Sequence, residues 1–249
     1  MKIQAVSGIC LALFLVATAG AQQTNLTRSE VAAIKAKVVT VQQAMGGDPS
    51  GYLKESEEYS LPTEANTAQA GKFWPITAGV SLRYTDRGSA EGQANMEKMA
   101  TEYQAKMAAA VASGDMQAIS RMSQELTQMQ AAAMAPPVKK DDMSVSVRLN
   151  QNPTAGIDPD AVVLERPGVI ALRDKGTGER GDVTVYIDPV SLKATEELSK
   201  VELRTAEGGV TNKTGVFHVV IQLNGTLTDL ESWVKTFDFD AMLGVIDPQ

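Results

Sequence analysis

Two segments of this chain alternate between apolar and polar residues, and this alternation constrains the fold more than any other feature. In residues 79–85, Val80, Leu82 and Tyr84 alternate with polar neighbours, and residues 144–150 repeat the pattern. A period of two residues is typical of a β-strand with one buried and one solvated face. The apolar side of such a sheet must be covered by other elements. The sequence therefore predicts an antiparallel sheet with helices packed on one face.

Amphipathic helices near both ends of the chain are predicted to provide this cover. Thr27 and Glu30 have the spacing of a capping box, and an apolar stripe at helical spacing follows as far as Met45. Thr228 and Glu231 repeat the capping box before a second amphipathic stretch. We therefore predict the α+β fold class, with an antiparallel β-sheet packed by N- and C-terminal amphipathic helices.

The remaining strands are predicted in the second half of the chain. Residues 166–168 read Arg-Pro-Gly, which is typical of a hairpin turn. The predicted strands are residues 161–165, 169–173, 182–188, 200–205 and 216–223. Residues 48–75 are rich in turn formers and acids, and we interpret them as a surface connection with at most one short helix.

A methionine-rich segment separates the two alternating strands. Residues 90–135 are dominated by Ala, Met and Gln and contain no proline, and Gly114-Asp115 divides them into two helical stretches. We predict a helical hairpin, residues 89–138, inserted between the strands. Its apolar stripes form a candidate interaction face, which consists of Met96, Met99, Tyr103, Met107, Met122 and Met129.

Three interpretations of these methionines stay open. Methionine is an adaptable filler of helix–helix contacts, which predicts a packing role. The same adaptability suits a surface that binds partner proteins. Thioether sulfur is also a soft ligand for Cu(I), and Met96 and Met99 lie one helical turn apart, as a chelating pair would.

The N-terminal residues predict export. Lys2, an apolar run from Ile9 to Val16 and Ala19-Gly20-Ala21 have the layout of a secretory signal peptide, so we predict residues 1–21 to be cleaved after Ala21. Residues 22–249 then form a single predicted α+β domain. Cleavage removes the chain's one cysteine, and a secreted protein without disulfides is more typical of a bacterial periplasm than of a eukaryotic exterior.

Composition and motifs argue against several functions. The formal net charge of −7 disfavours nucleic acid as a partner, and no later apolar run is long enough to span a membrane. His218 is the one histidine, so no zinc site of the usual kinds is predicted, and we interpret it as a strand residue with structural hydrogen bonds or solvent contact. We predict no cofactor, metal or catalytic residues.

The sequence thus predicts an exported, non-enzymatic binding or structural-interaction protein, with a protein partner or a small apolar ligand. Two alternatives remain: a methionine-based Cu(I) carrier, and a hydrolase that uses acidic residues. The acid clusters available to such a hydrolase are Asp141-Asp142, Asp158 with Asp160, and Asp238 with Asp240.

Overall fold

The protein is built around one seven-stranded antiparallel sheet. A computed structural model describes residues 23–117, 121, 141–174 and 178–248. Its strands are β1 Gln23–Asn25, β2 Tyr52–Ser60, β3 Glu64–Gln69, β4 Lys72–Phe73, β5 Ala78–Asp86, β6 Met143–Leu149, β7 Ala155–Gly156, β8 Val162–Arg166, β9 Val169–Arg173, β10 Arg180–Ile187, β11 Lys200–Val201 and β12 Val219–Thr226. The sheet order is β2-β5-β6-β12-β10-β9-β8, while β1-β3-β4 and β7-β11 form small sheets.

Helices cover one face of this sheet, which confirms the predicted α+β class. The α-helices within the described part of the chain are α1 Arg28–Ala44, α2 Arg87–Ser113, α3 Leu227–Val234 and α4 Phe239–Leu243. Helix α1 contacts β5, β6 and α4, and α3 contacts β10 and β12. The main core therefore lies between the sheet and the helices from both ends of the chain.

The two alternating strands pair directly with each other, as their shared pattern suggests. Strands β5 and β6 are antiparallel neighbours, with Val80 opposite Val147 and Leu82 opposite Val145. All four side chains are buried in the main core. The hairpin around residues 166–168 is also present, because β8 and β9 pair antiparallel on either side of it.

The opposite face of the sheet is covered at one end by a second apolar cluster. Val220, Tyr186 and Ile170 point away from the helices and pack with Leu192 and Leu203. These last two residues belong to the segment between β10 and β12, of which only Lys200–Val201 is a strand, so most of the strand predicted at residues 200–205 is absent. This segment instead folds over the sheet as a second layer.

The interpretation of residues 48–75 as a surface connection is wrong. These residues form β2, β3 and β4, and β2 is an edge strand that pairs with β5 along its length. Most side chains of β2 are exposed and several are acidic. Strand formation here depends on hydrogen bonds to β5 rather than on a buried face, so the hydrophobic pattern carries no signal.

The second predicted capping box is also misplaced. Helix α3 begins at Leu227, and its N-cap residue is Thr226, whose side chain makes no capping hydrogen bond. Thr228 lies within the first turn. Strand β12 extends to Thr226 through its pairing with β10, so the helix begins directly after the strand. The predicted amphipathic face is confirmed, because Leu230, Trp233 and Val234 are buried.

The helical insertion is described only in its first part. Helix α2 confirms a helix in residues 87–113, while most of the predicted second helix, including Met122 and Met129, lies outside the described residues. The predicted signal peptide, residues 1–21, lies outside them too. Among the helices that the structure describes, none combines the length and apolarity needed to cross a membrane.

The capping box of α1 provides a first test of the fold. The Thr27 side chain accepts a hydrogen bond from the Glu30 main chain, and the Glu30 side chain accepts one from Thr27 N. We expect Thr27→Ala to reduce the free energy of unfolding by about 1 kcal/mol, the usual contribution of an N-cap hydroxyl. Thr228→Ala is the matched control and should change it by less than about 0.5 kcal/mol, because Thr228 is not a cap. Urea unfolding midpoints measure both, and equal losses would contradict the assignment.

Candidate ligand-binding pocket

A cavity of about 540 Å³ opens at the end of the sheet where β6 ends and β12 begins. Loops that follow β4, β6 and β11 meet there with the residues just before β12. The lining residues are Trp74, Pro75, Asn150, Asn152, Arg204, Thr205, Ala206, Glu207, Gly208, Phe217 and His218. Four distant parts of the chain therefore build one pocket.

Asn150 ties three of these parts together. It directly follows β6 and has a φ of 56°, in the left-handed region that asparagine tolerates better than most residues. Its Nδ2 donates to the carbonyls of Ile76 (3.0 Å) and Gly215 (2.8 Å), and its Oδ1 accepts from Phe217 N (2.8 Å). Because the side chain is buried and fully hydrogen bonded, it fixes the back of the pocket.

Asp188 holds the segment that carries Arg204. Its carboxylate is fully buried and accepts hydrogen bonds from the main-chain N–H groups of Val190 (2.9 Å), Ser191 (3.2 Å) and Arg204 (2.7 Å). Hydrogen bonds of this kind compensate a buried carboxylate for lost hydration. The hydrogen bond from the main-chain N–H of Arg204 to Asp188 thus fixes the position of Arg204 beside the pocket.

The Arg204 side chain is buried but not fully hydrogen bonded. It is 7% exposed, and its Nη2 donates to the Phe217 carbonyl at 2.7 Å. Its Nε lies 3.8 Å from Asp188 Oδ1, which is an ion-pair contact longer than a hydrogen bond. Both Nε and Nη1 are buried without a hydrogen-bond partner. These two atoms expose almost no surface, so the guanidinium is directed mainly toward the protein interior.

His218 links two walls of the pocket. It is 2% exposed, its Nδ1 lies 3.0 Å from the Arg204 carbonyl oxygen and its Nε2 lies 2.9 Å from the Gln151 carbonyl oxygen. Burial lowers the pKa of His218 below its ordinary value of 6.5, and this effect outweighs the opposing influence of Asp188 and of the two carbonyls. The predicted structural role of His218 fits these contacts.

The mouth of the pocket is formed by Trp74 and by the turn after β11. Phe73 and Val210 exchange two main-chain hydrogen bonds of 2.7 and 2.8 Å, which bring the turn against the β3–β4 hairpin. Gly209 has a φ of +82°, and a Cβ there would lie 2.6 Å from the Ala68 Cβ. Only glycine permits this close approach. The Trp74 side chain is 49% exposed at the resulting opening.

The composition of the pocket and the contacts of His218 bear on what the pocket can do. Both ring nitrogens of His218, the one histidine in the chain, face main-chain carbonyls, so the imidazole is not free to take a proton from a molecule in the pocket. The walls are largely apolar, with a few inward polar groups, which is the usual composition of a site for a small organic ligand.

The sequence-predicted interaction face lies elsewhere. Helix α2 begins where β5 ends, whereas the pocket lies near the start of β5, so the nine-residue strand separates the two regions. Met96 and Met99 are 57% and 45% exposed, while Tyr103 and Met107 are half-buried. Met122 and Met129 lie outside the described residues. The interaction face therefore stays a prediction.

The acid clusters named for a hydrolase serve local structure. Asp158 caps a short 3₁₀ helix, Asp238 caps α4, and Asp240 pairs with Arg166. Asp141 lies 3.9 Å from Arg180. Within the described part of the chain, no group of three or more His, Cys, Asp or Glu side chains is arranged to hold a metal ion.

A second concavity, of about 560 Å³, lies on the polar surface of the central strands. It includes two carboxylates, those of Asp174 and Asp182, and Asp182 accepts a hydrogen bond of 2.8 Å from Asn224. A hydrolase that uses acidic residues would need such a shared surface. The hydrolase alternative therefore stays a prediction.

The chain was compared with protein-family models, with curated proteins and with solved structures, and none of the three comparisons finds a significant match. The proposals about function therefore depend on the residues of the pocket itself.

Asn150 provides a test of the pocket's back wall. Asn150→Ala should lower the free energy of unfolding by about 2–5 kcal/mol, because it leaves two buried carbonyls and one N–H unpaired. Asn150→Gly loses the same hydrogen bonds but removes the strain of a positive φ, so it should be more stable than the alanine variant by about 1 kcal/mol. Urea unfolding of both variants measures the difference. A glycine variant no more stable than the alanine variant would contradict the role of φ.

The pKa of His218 can be read directly, because the chain has one histidine. Burial favours the neutral imidazole, so its ring-proton NMR signal should titrate with a midpoint below 6.5. The unfolded chain then binds more protons near pH 6.5 than the folded chain, and the stability that this group contributes is lost as the pH falls below 6.5 toward the folded pKa. His218→Gln should remove this part of the pH dependence. A midpoint above 6.5 would mean that the two carbonyls outweigh burial.

Proposed function

We propose that the protein is an exported, non-enzymatic binding protein whose small ligand occupies the pocket between Trp74 and Arg204. Export is inferred from the basic, apolar and small-residue regions of residues 1–21. The ligand belongs to the class of small, largely apolar molecules. We favour the pocket over the methionine face as the place of binding, because four parts of the chain shape it into a cavity with apolar and polar walls, whereas Met96 and Met99 lie exposed on a helix.

The observation that carries this proposal is the cavity itself, which residues from four separate parts of the chain line. Asn150 fixes its back wall through three hydrogen bonds, and Asp188 fixes the segment that carries Arg204. Buried polar contacts therefore keep the cavity in shape.

The dimensions of the cavity also support a ligand. A volume of about 540 Å³ falls within the usual range of about 300–1,000 Å³ for small-molecule sites. The rings of Trp74 and Phe217 provide flat apolar surfaces. Asn150 makes three hydrogen bonds, and both ring nitrogens of His218 lie against main-chain carbonyls, so the walls around the ligand are preorganised.

Native mass spectrometry of the full chain exported by a bacterial host tests the proposal. The main species should have the mass of a chain that begins at Gln22, with a retained small molecule in part of the population. Trp74→Ala should lose that molecule, because it removes one wall of the pocket, and should stay folded, because Trp74 is half exposed. Val190→Ala is the matched control, since Val190 is 56% exposed and does not line the pocket.

The same spectra distinguish the alternatives. A copper adduct that disappears when Met96 and Met99 are changed to Leu would favour the Cu(I) carrier. A retained protein that survives Trp74→Ala, but is lost when the same two methionines become Glu, would favour the α2 face. If the parent, the Trp74→Ala variant and the Val190→Ala variant all show the same species, the pocket is not the binding site.

A further inference from the structure

We propose that helix α2 is a self-association surface, through which two copies of this chain pair in the antiparallel orientation. The contact is made by four residues that we call the α2 stripe: Gly92, Met96, Met99 and Tyr103. This proposal is independent of the ligand pocket. It follows from the exposure of α2, from the spacing of the stripe and from the charges beside it.

Helix α2 extends well beyond the strands that support it. It has 27 residues, about 40 Å at 1.5 Å per residue, and it packs against β5 and β2. The side chains that the structure describes between residues 91 and 102 are all exposed. Most of the stability of a helix in a protein comes from the packing of an apolar face. A helix as exposed as α2 therefore gains stability when a partner covers that face.

The α2 stripe is the apolar face that a partner can cover. Its members follow each other at spacings of four, three and four residues, which place them on one side of a helix. Met96 and Met99 are 57% and 45% exposed, and Tyr103 is half-buried. A Cβ built on Gly92 would meet no other atom within 4 Å, so the space above this glycine is open. A second helix can therefore approach the stripe closely at Gly92.

The net charge of α2 favours a second copy of the chain as the partner. The whole chain has a formal net charge of −7, whereas α2 is neutral. Its three basic and three acidic residues are Arg87, Lys98, Lys106, Glu91, Glu97 and Glu102. A strongly basic partner would dock where negative charge is concentrated, which is elsewhere on this chain. Two neutral helices meet without the repulsion that other surfaces of two acidic chains would produce.

The positions of the charges select the antiparallel orientation. At 100° per residue, Glu91, Glu102 and Lys106 lie on the same side of the stripe. A parallel pair would put each of them next to its own copy, and like charges would meet. An antiparallel pair with its twofold axis at Met99 puts residue 91 level with residue 107 of the other copy. Glu91 then lies beside Lys106 of the partner subunit, and the symmetry forms this ion pair twice.

The same axis brings the two stripes together. Met99 lies against its own copy, and methionine is flexible enough to pack against an identical side chain. Packed helices have axes 8–10 Å apart and Cα atoms about 2.3 Å from each axis, so the two Met99 Cα atoms lie about 5 Å apart. One helix from each copy makes a small interface, and small interfaces are typically weak and transient.

Sedimentation equilibrium of the full chain exported by a bacterial host tests the association. Between about 1 and 500 µM, the average mass should rise from that of one chain toward that of two, with a dissociation constant on the order of 10–100 µM. Met99→Glu should weaken association at least about tenfold, because two carboxylates would meet at the axis. Val190→Glu is the matched control and should not change association, because Val190 is 56% exposed and lies outside α2.

Cysteine cross-linking tests the orientation. In a Cys10→Ser background, Met99→Cys should form an intermolecular disulfide in oxidised glutathione, because Cα atoms about 5 Å apart permit this bond. Val111→Cys is the control on the same helix, where Val111 is 63% exposed. In the antiparallel pair the two copies of residue 111 are about 24 residues, or about 36 Å, apart along the helix, so they should not cross-link.

Charge reversal tests the ion pair. Glu91→Lys and Lys106→Glu should each weaken association about threefold to tenfold, because each change sets like charges side by side twice. The double variant exchanges the signs and should restore much of the association. Circular dichroism of each variant checks that the helix content is unchanged.

Each measurement has an outcome that counts against the proposal. A single-chain mass at every concentration would overturn it, as would association that Met99→Glu leaves unchanged. Equal cross-linking through residues 99 and 111 would overturn the antiparallel orientation, and a double charge variant no stronger than the single variants would overturn the ion pair. The proposed function is tested separately, by the small molecule that Trp74→Ala removes.

Discussion

The buried carboxylate of Asp188 organises the second layer of the fold. An unpaired carboxylate in such a place would cost several kcal/mol, but this one accepts three main-chain hydrogen bonds and lies beside the guanidinium of Arg204. Two of the donors belong to residues 190 and 191 and the third to residue 204, so one side chain joins the two ends of the covering segment. The Arg204 carbonyl then reaches His218, and the Arg204 side chain reaches Phe217. The shape of the pocket depends on this chain of contacts.

Elements with a buried periodic face were predictable, and elements without one were not. Helix α1 and the strand pair β5–β6 follow from their apolar stripes, because each buries one regular face in the main core. Strand β2 has no such face and depends on its pairing with β5. The Thr228 capping box has the right spacing, but the pairing of β12 with β10 continues to Thr226 and sets the start of the helix. Long-range pairing thus overrides local capping preference.

The pocket could not be predicted from the sequence, because its residues come together only through the fold. Trp74, Asn150, Arg204 and His218 lie in four separate segments, and none stands in a recognisable motif. One signal was present: the uninterrupted apolar run of residues 219–221 indicates a strand buried on both faces, which predicts a covering layer next to His218. The methionine stripe is recognisable because periodicity along one helix is visible in a sequence, whereas convergence between loops is not.

Strand β2 has a consequence for the behaviour of the chain among its own copies. It is one end of the seven-stranded sheet, and no strand in the described part of the chain pairs with its outer edge, where a foreign strand could add. Glu55, Glu57 and Glu58 lie along it, and its pairing is irregular between Lys54 and Ser56. Clustered negative charge and a local bulge both disfavour the addition of another strand. The exposed polar side chains that leave β2 without a hydrophobic pattern thus also protect the sheet from aggregation through this edge.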